Sequence, residues 1–299
     1  MPAYVILAHD DPVLLGRLVR RLTGSPIHVH LDAATNLASF ESVARLSTVP
    51  GAQYVTRRTR VNWGGFSVVD AMLRATTQAL PDVSKADHLV YLSGRCYPVR
   101  AVSEFEKYLA ISGWRVHARA YSLTRSPSAW DRRRYEYRHS FDGVASRIGP
   151  LSSLRRRLLR KVIVRLNRMR SPRQTTMDIV AGSQWMALPR ACAEDASEAI
   201  RTELFSLFRD AWAPDEMAIQ TFIYNSKWRE ETEFGEVEVN PIGIVSALSN
   251  FHQLDRNMKG TVELSRVLRP TAREFFVRKM DSRHHLAMLD MLDANSSVR

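Results

Sequence analysis

Ala3-Tyr4-Val5-Ile6-Leu7-Ala8-His9-Asp10-Asp11-Pro12 is the stretch on which the fold turns. An apolar run ends abruptly at two acids and a proline. A continuous apolar run of this length suits a strand buried on both faces, and such strands are typical of parallel sheets. Asp10 or Asp11 can cap a helix that starts at Pro12, and the apolar spacing carries that helix to Leu22. A strand over Tyr4 to Ala8 followed by a helix over Pro12 to Leu22 is half of a βαβ unit. The pattern then repeats. Ile27 to Leu31 reads as a second strand ending at Asp32. Phe66 to Leu80 reads as a helix after the Gly64-Gly65 turn. His88 to Leu92 reads as a third strand, broken by Ser93-Gly94. Val102 to Ile111 is helical, and Trp114 to Tyr121 is strand-like. Strands alternating with helices predict an α/β fold with a mostly parallel, twisted central sheet flanked by helices. Ligands in such sheets sit beyond the carboxyl ends of the strands. His9, Asp10, Asp32, Ser93 and Gly94 stand there.

The remainder divides by composition. Residues 122–176 are polar and basic, and 177–299 carry helical patterns at Ala191 to Ala211, Asp215 to Tyr224 and His284 to Leu292, with a strand-like piece at Glu236 to Val239. The expected organisation is one domain over 1–299. It has a strand-and-helix half (1–121), a basic helical insertion (122–176) and a C-terminal half (177–299). The 299 residues include 43 Lys and Arg against 31 Asp and Glu, for a net charge of +12. Ten of those cations, Arg147, Arg155, Arg156, Arg157, Arg160, Lys161, Arg165, Arg168, Arg170 and Arg173, lie between Asp142 and Asp178 with no acid among them. The excess is therefore local and implies one anionic partner rather than a protein-wide nucleic-acid surface. Leu158, Leu159, Val162, Ile163, Leu166 and Met169 share one helical face in that segment. The segment 153–173 can be a solvated helix docked on its own domain or a contact with an anionic membrane surface. Few aromatics accompany it, so no nucleic-acid partner is expected. Two cysteines cannot build a disulfide framework, no apolar run spans a membrane, and the first strand is too short for a signal peptide. A cytoplasmic location is expected, with the basic helix offering a contact to the inner face of the membrane.

Familiar catalytic patterns are missing. HExxH, paired CxxC, GxSxG, GxGxxG and GxxxxGK[ST] do not occur, and no persuasive DxD is present. His28 and His30 share a strand face without further ligands, and Cys96 has no recognisable histidine partner. No metal site is expected. Some segments are hard to explain as core alone: Arg60 to Ser67, Tyr91 to Pro98, Gly182 to Trp185 and Pro214 to Thr221. Singly each has a plain explanation. Trp63 and Trp185 can be core or rim aromatics. Asp215 can cap a helix, with Glu216 in its favoured first turn.

Taken together, AYVILAHDDP (3–12), HVHLDA (28–33), RVNWGGFSVVDAML (60–73), HLVYLSGRCYPVR (88–100), GSQWMAL (182–188), PDEMAIQTFIYNS (214–226) and FFVRKMD (275–281) resemble the core-2/I-branching β-1,6-N-acetylglucosaminyltransferase family, glycosyltransferase family 14, which includes peptide O-xylosyltransferases and bacterial members. The resemblance covers nearly the whole chain, and it implies that 1–121 is the nucleotide-sugar-binding half and 177–299 the acceptor and catalytic half of a single glycosyltransferase domain. It implies a GT-A type fold and transfer from a UDP-sugar, most often UDP-N-acetylglucosamine, with inversion and without a divalent metal. The acceptor would be a hydroxyl of a glycan, glycolipid or glycosylated small molecule. By the same resemblance Glu216 is the general base. Lys279, beside Arg278, stabilises the leaving diphosphate. A second family arginine falls on Arg256 by spacing, or on His252 by the local pattern. Ala8, His9 and Asp32 lie near the uridine, Arg60, Trp63 and Gly64 along the donor site, and Ser93 and Gly94 near the sugar-diphosphate. Trp130, Arg133, Arg134 and Tyr135 resemble an acceptor cluster, with Gln184 and Trp185 lining that pocket. No cofactor is implied, the UDP-sugar being a substrate. The rival from another class is a non-catalytic basic module that binds RNA or an anionic membrane.

Overall fold

The structure is a computed structural model and describes residues 1–139, 142, 162, 165–166, 172–233, 237, 249–254 and 264–296. Its centre is a five-stranded sheet in the order β3-β2-β1-β4-β8. β1 is Ala3–Ala8, β2 Ile27–Leu31, β3 Ala52–Tyr54 and β4 His88–Ser93. β5 is Tyr97–Pro98, β6 Ala120–Ser122, β7 Val180–Gly182 and β8 Ala187–Pro189. β9 is His252–Leu254 and β10 is Phe276–Arg278. β1 runs parallel to β2 with Tyr4 opposite Ile27, and parallel to β4 with Ala3 opposite Leu89. β8 joins the edge antiparallel to β4. β5, β10 and β9 form a second small sheet, and β6 pairs with β7 in a third.

Alternation along β1 explains why both faces are covered. Tyr4, Ile6 and Ala8 point to one side, where Leu14, Leu18, Val29, Leu92, Phe105, Phe251 and Phe276 pack. Ala3 and Val5 point to the other, onto Met72, Leu89, Tyr91, Leu188 and Ile200. Buried side chains lie on both sides of each central strand, so the run had to be apolar throughout.

The α/β architecture with its mostly parallel, helix-flanked sheet is as the sequence implies, and several boundaries agree closely. The helix Pro12–Arg21 is capped by Asp11, whose Oδ1 accepts the Leu14 N–H at 3.1 Å. The helix Ser67–Ala79 follows the Gly-Gly turn, and the helices Val102–Ser112 and Leu286–Ser296 occupy their expected places.

Three expectations need correction. The strand expected over Trp114 to Tyr121 is regular only at Ala120–Ser122. Before it, Val116 and His117 make single bridges to Thr232 and Ala187, because the chain there crosses from the main sheet to the smaller one. The helix expected over Ala191 to Ala211 stops at Arg201. Thr202 leaves helical geometry, its hydroxyl donates to the Glu198 carbonyl at 2.8 Å, and only a turn at Phe205–Phe208 follows. The helix expected from Asp215 is broken at Met217 into a 3-10 turn, Pro214–Glu216, and a helix, Ala218–Tyr224. Neither end is capped by a side chain, so Asp215 is not a helix cap. The strand-like piece at Glu236 to Val239 lies outside the described residues apart from Val237. The basic helix 153–173 also lies outside them, apart from positions 162, 165, 166, 172 and 173. Among the described residues, no helix is long and apolar enough to cross a membrane.

Candidate functional site

The carboxyl ends of β1, β2 and β4 meet at one edge of the sheet. The Gly94 N–H donates to the Leu7 carbonyl at 2.8 Å. A Cβ on Gly94 would stand 3.0 Å from the Ala8 Cβ, so the turn closes this tightly only with glycine there. The Asp32 N–H donates to the Ala8 carbonyl at 2.8 Å. Its Oδ1 accepts the Ala34 and Val61 N–H groups at 2.8 and 3.2 Å. One carboxylate thus ties the loop that carries Arg60 and Trp63 to the end of β2. His9 is exposed beside Asp10, and Arg60 is exposed as well. Ser93 is buried, its Oγ accepting the Arg95 N–H at 3.1 Å. Ala8, His9, Asp32, Ser93 and Gly94 are therefore brought together beyond the carboxyl ends of the parallel strands, where open α/β sheets bind their ligands.

A basic wall faces this edge. Arg278, at the end of β10, places its guanidinium 4.8 Å from the Trp185 ring centroid, within cation–π range. Its Nε is buried without a hydrogen-bond partner. Burial lowers its proton affinity, while Cys96, Glu216 and Asp215 nearby oppose that shift. Lys279 is exposed. Partial desolvation and the charges of Arg278 and Arg95 lower its pKa. Behind them Cys96 Sγ and His252 Nε2 lie 3.2 Å apart, so Cys96 does have a histidine partner, supplied from β9. The pair is neutral: burial pushes the thiol up to about 11 and the imidazole down to about 3. A buried neutral pair of this kind is structural, not nucleophilic. Arg256 lies outside the described residues.

Glu216 forms the third side. Its Oε2 accepts from Arg134 Nη2 at 2.7 Å; the arginine side chain is 4% exposed and the glutamate 28%. The guanidinium also lies 5.3 Å from the Trp212 ring centroid. Asp215 Oδ1 is buried without a partner, and burial together with the Glu216 charge raises its pKa. Trp63 and Trp130 are 73% and 52% exposed. Both rings meet Trp212 edge-on, with centroids 6.2 and 5.0 Å away. Backbone bonds hold this convergence. The Trp212 N–H donates to the Arg134 carbonyl at 2.8 Å, and the Ala213 N–H to the Gly64 carbonyl at 3.0 Å. Tyr135 is buried in the apolar core, and Gln184 is half-buried with its Oε1 unpartnered. Trp185 is 6% exposed and is fixed by an Asn250 Nδ2 bond to its carbonyl at 2.8 Å.

Two participants escaped the sequence reading. Trp212 stands two residues before the Pro-Asp-Glu turn, a proximity that could have drawn notice. Asp142 gave no signal at all. Its carboxylate accepts from Asn62 Nδ2, Ser67 N and Ser67 Oγ at 2.9, 2.9 and 2.7 Å, and a Cβ on Gly65 would reach its Oδ1 at 2.5 Å. Among the described residues, no group of three His, Cys, Asp or Glu side chains could hold a metal ion. The carboxylates of Asp10 and Asp11 are bonded to Arg95.

The site thus joins an arginine whose buried Nε has no hydrogen-bond partner among the described residues, a carboxylate on a buried arginine, and exposed aromatic faces. A family model described as Core-2/I-Branching enzyme matches residues 3–237. No curated protein matches the chain.

Proposed function

The chain belongs to the Core-2/I-Branching enzyme family, a family of glycosyltransferases, and from that premise we propose a metal-independent inverting transfer from a UDP-sugar. The proposed donor is UDP-N-acetylglucosamine. The proposed acceptor is a hydroxyl of a glycan, glycolipid or glycosylated small molecule. Glu216 is the general base. Inversion is a single displacement: the acceptor oxygen bonds to the anomeric carbon, the bond from that carbon to UDP breaks, and the acceptor proton passes to Glu216. A carboxylate with one oxygen on a buried guanidinium is oriented for that task, and the other oxygen can meet the hydroxyl. The negative charge growing on the diphosphate needs fixed cations. Arg278 and Lys279 are proposed to supply them, without a divalent ion. The half-buried Arg278, with no hydrogen bond at Nε, is the observation that carries this reading. A buried donor nitrogen left without a partner is costly unless a ligand completes it.

Ala8, His9, Asp32, Ser93 and Gly94 are proposed to receive the nucleotide. The exposed faces of Trp63 and Trp130 favour sugar rings near Glu216. The arginine-rich segment is proposed to hold the enzyme at an anionic membrane face on the cytoplasmic side, near membrane-linked acceptors. Calorimetry with UDP, with and without EDTA, tests the core of this reading, followed by UDP-N-acetylglucosamine and UDP-xylose. UDP binding that survives EDTA is expected. Binding lost with EDTA would overturn the metal-free proposal. No binding of any UDP compound would leave the non-catalytic basic module.

A further inference from the structure

Arg95, in the turn after β4, has no part in the roles above, yet it joins two segments far apart in sequence. Its Nε and Nη2 donate to the Asp10 carboxylate at 3.0 and 2.6 Å. Its Nη1 donates to Asp281 Oδ2 at 2.6 Å and to the Met280 carbonyl at 3.1 Å, with Asp11 Oδ2 at 3.4 Å. The backbone answers in return: the Met280 N–H donates to the Arg95 carbonyl at 2.9 Å. Asp11 then takes the Ser282 N–H and hydroxyl at 2.8 and 2.6 Å. Residues 280–282 follow Lys279 directly, and β10 precedes it. Lys279 is therefore held on both sides, by a strand before and by the Arg95 clamp after. Among the described residues no carboxylate pairs with Lys279; Asp10, Asp11 and Asp281 converge on Arg95 instead. Arg95 occupies those carboxylates.

We infer that Arg95 is a positioning residue for the diphosphate: it fixes the backbone that carries Lys279 and keeps three carboxylates from competing for that ammonium or repelling the ligand. The inference rests on the proposed role of Lys279. It draws on geometry that role does not use. Arginine is suited to the task because its rigid fork serves several acceptors at once, which a lysine cannot do.

UDP and uridine binding by calorimetry test it, using the full chain and the variants Lys279→Ala, Arg95→Gln, Arg95→Lys and the double variant Arg95→Gln/Lys279→Ala. Lys279→Ala and Arg95→Gln should each weaken UDP about tenfold or more while leaving uridine unchanged. The double variant should bind UDP no more weakly than Lys279→Ala, because Arg95 acts through Lys279. Arg95→Lys should recover part of the loss. A merely structural role would weaken uridine and UDP alike and would overturn the inference. So would a wild-type UDP-to-uridine ratio in Arg95→Gln, or single effects that multiply in the double variant. An unchanged ratio in Lys279→Ala would instead overturn the proposed role of Lys279, and this inference with it. Should Arg95→Gln fail to fold, Asp281→Asn removes one arm of the clamp and should shift the ratio in the same direction by less.

Discussion

Glu216→Gln separates the chemistry from the architecture. The substitution preserves shape while removing the ability to take a proton and the negative charge that pairs with Arg134. A positioned general base contributes about 10²–10⁴ in rate, so transfer should fall by that factor, about 3–5 kcal/mol of barrier. The same change alters the pair with Arg134, whose side chain is 4% exposed. Removing one member of a buried pair costs about 3–5 kcal/mol when the remaining charge is stranded. Arg134 is not fully stranded here. The glutamine oxygen can still accept, and the Ala213 carbonyl and the Tyr121 hydroxyl each lie 3.4 Å from the guanidinium. Glu216 is also partly solvated at 28%. The stability loss should therefore be smaller, about 1.5–3 kcal/mol at most, the range for a hydrogen bond to a charged group. The assay is UDP release in the presence of acceptor, with UDP binding by calorimetry and a melting curve on the same preparation. Folded protein that binds UDP normally and transfers at least a hundredfold more slowly is the expected result. Transfer within a few-fold of wild type would refute the base. Loss of UDP binding in a folded variant would place Glu216 in the donor site instead.

Other outcomes follow from particular contacts. Gly65→Ala would drive a Cβ into Asp142, only 2.5 Å away, and should release that carboxylate at a cost of about 1–3 kcal/mol, read from denaturant unfolding; unchanged stability would refute the cradle. His252 is held neutral by burial and by the Arg278 charge, with its pKa brought down from 6.5 to about 3. The unfolded chain therefore binds the proton first. His252 contributes stability above pH about 6.5 that is lost as pH falls toward about 3, by up to about 1.4 kcal/mol per unit. His252→Asn should flatten that part of the stability–pH curve, and identical slopes would contradict it. The arginine-rich segment should bring the protein down with anionic vesicles at low salt and release it as the Debye length shrinks to about 10 Å near 0.1 M. No sedimentation at low salt would leave that segment without a membrane role.

The sequence by itself determined the elements whose cause is local. β1 and the helix Pro12–Arg21 were legible because an apolar run, an aspartate cap and a proline all act within a few residues of each other. β2, β4 and the helix Ser67–Ala79 followed from the same short-range periodicity, and with them the edge that gathers Asp32, Ser93 and Gly94. The short pieces were not legible. β5, β9 and β10 have too few residues to show a period, and they exist because neighbours supply their hydrogen bonds. The same holds for side-chain partnerships. Arg134 and Glu216 are 82 residues apart, Cys96 and His252 156, and Arg95 and Asp281 186. Asp215 looked like a cap because acids favour helix starts. Only the break at Met217 turned it into a buried carboxyl with an unpartnered Oδ1. Periodicity records which face of an element meets the core. Which charge meets which is set by packing between elements, and that tertiary packing alone placed a guanidinium behind Glu216 and left another, on Trp185, with a free nitrogen.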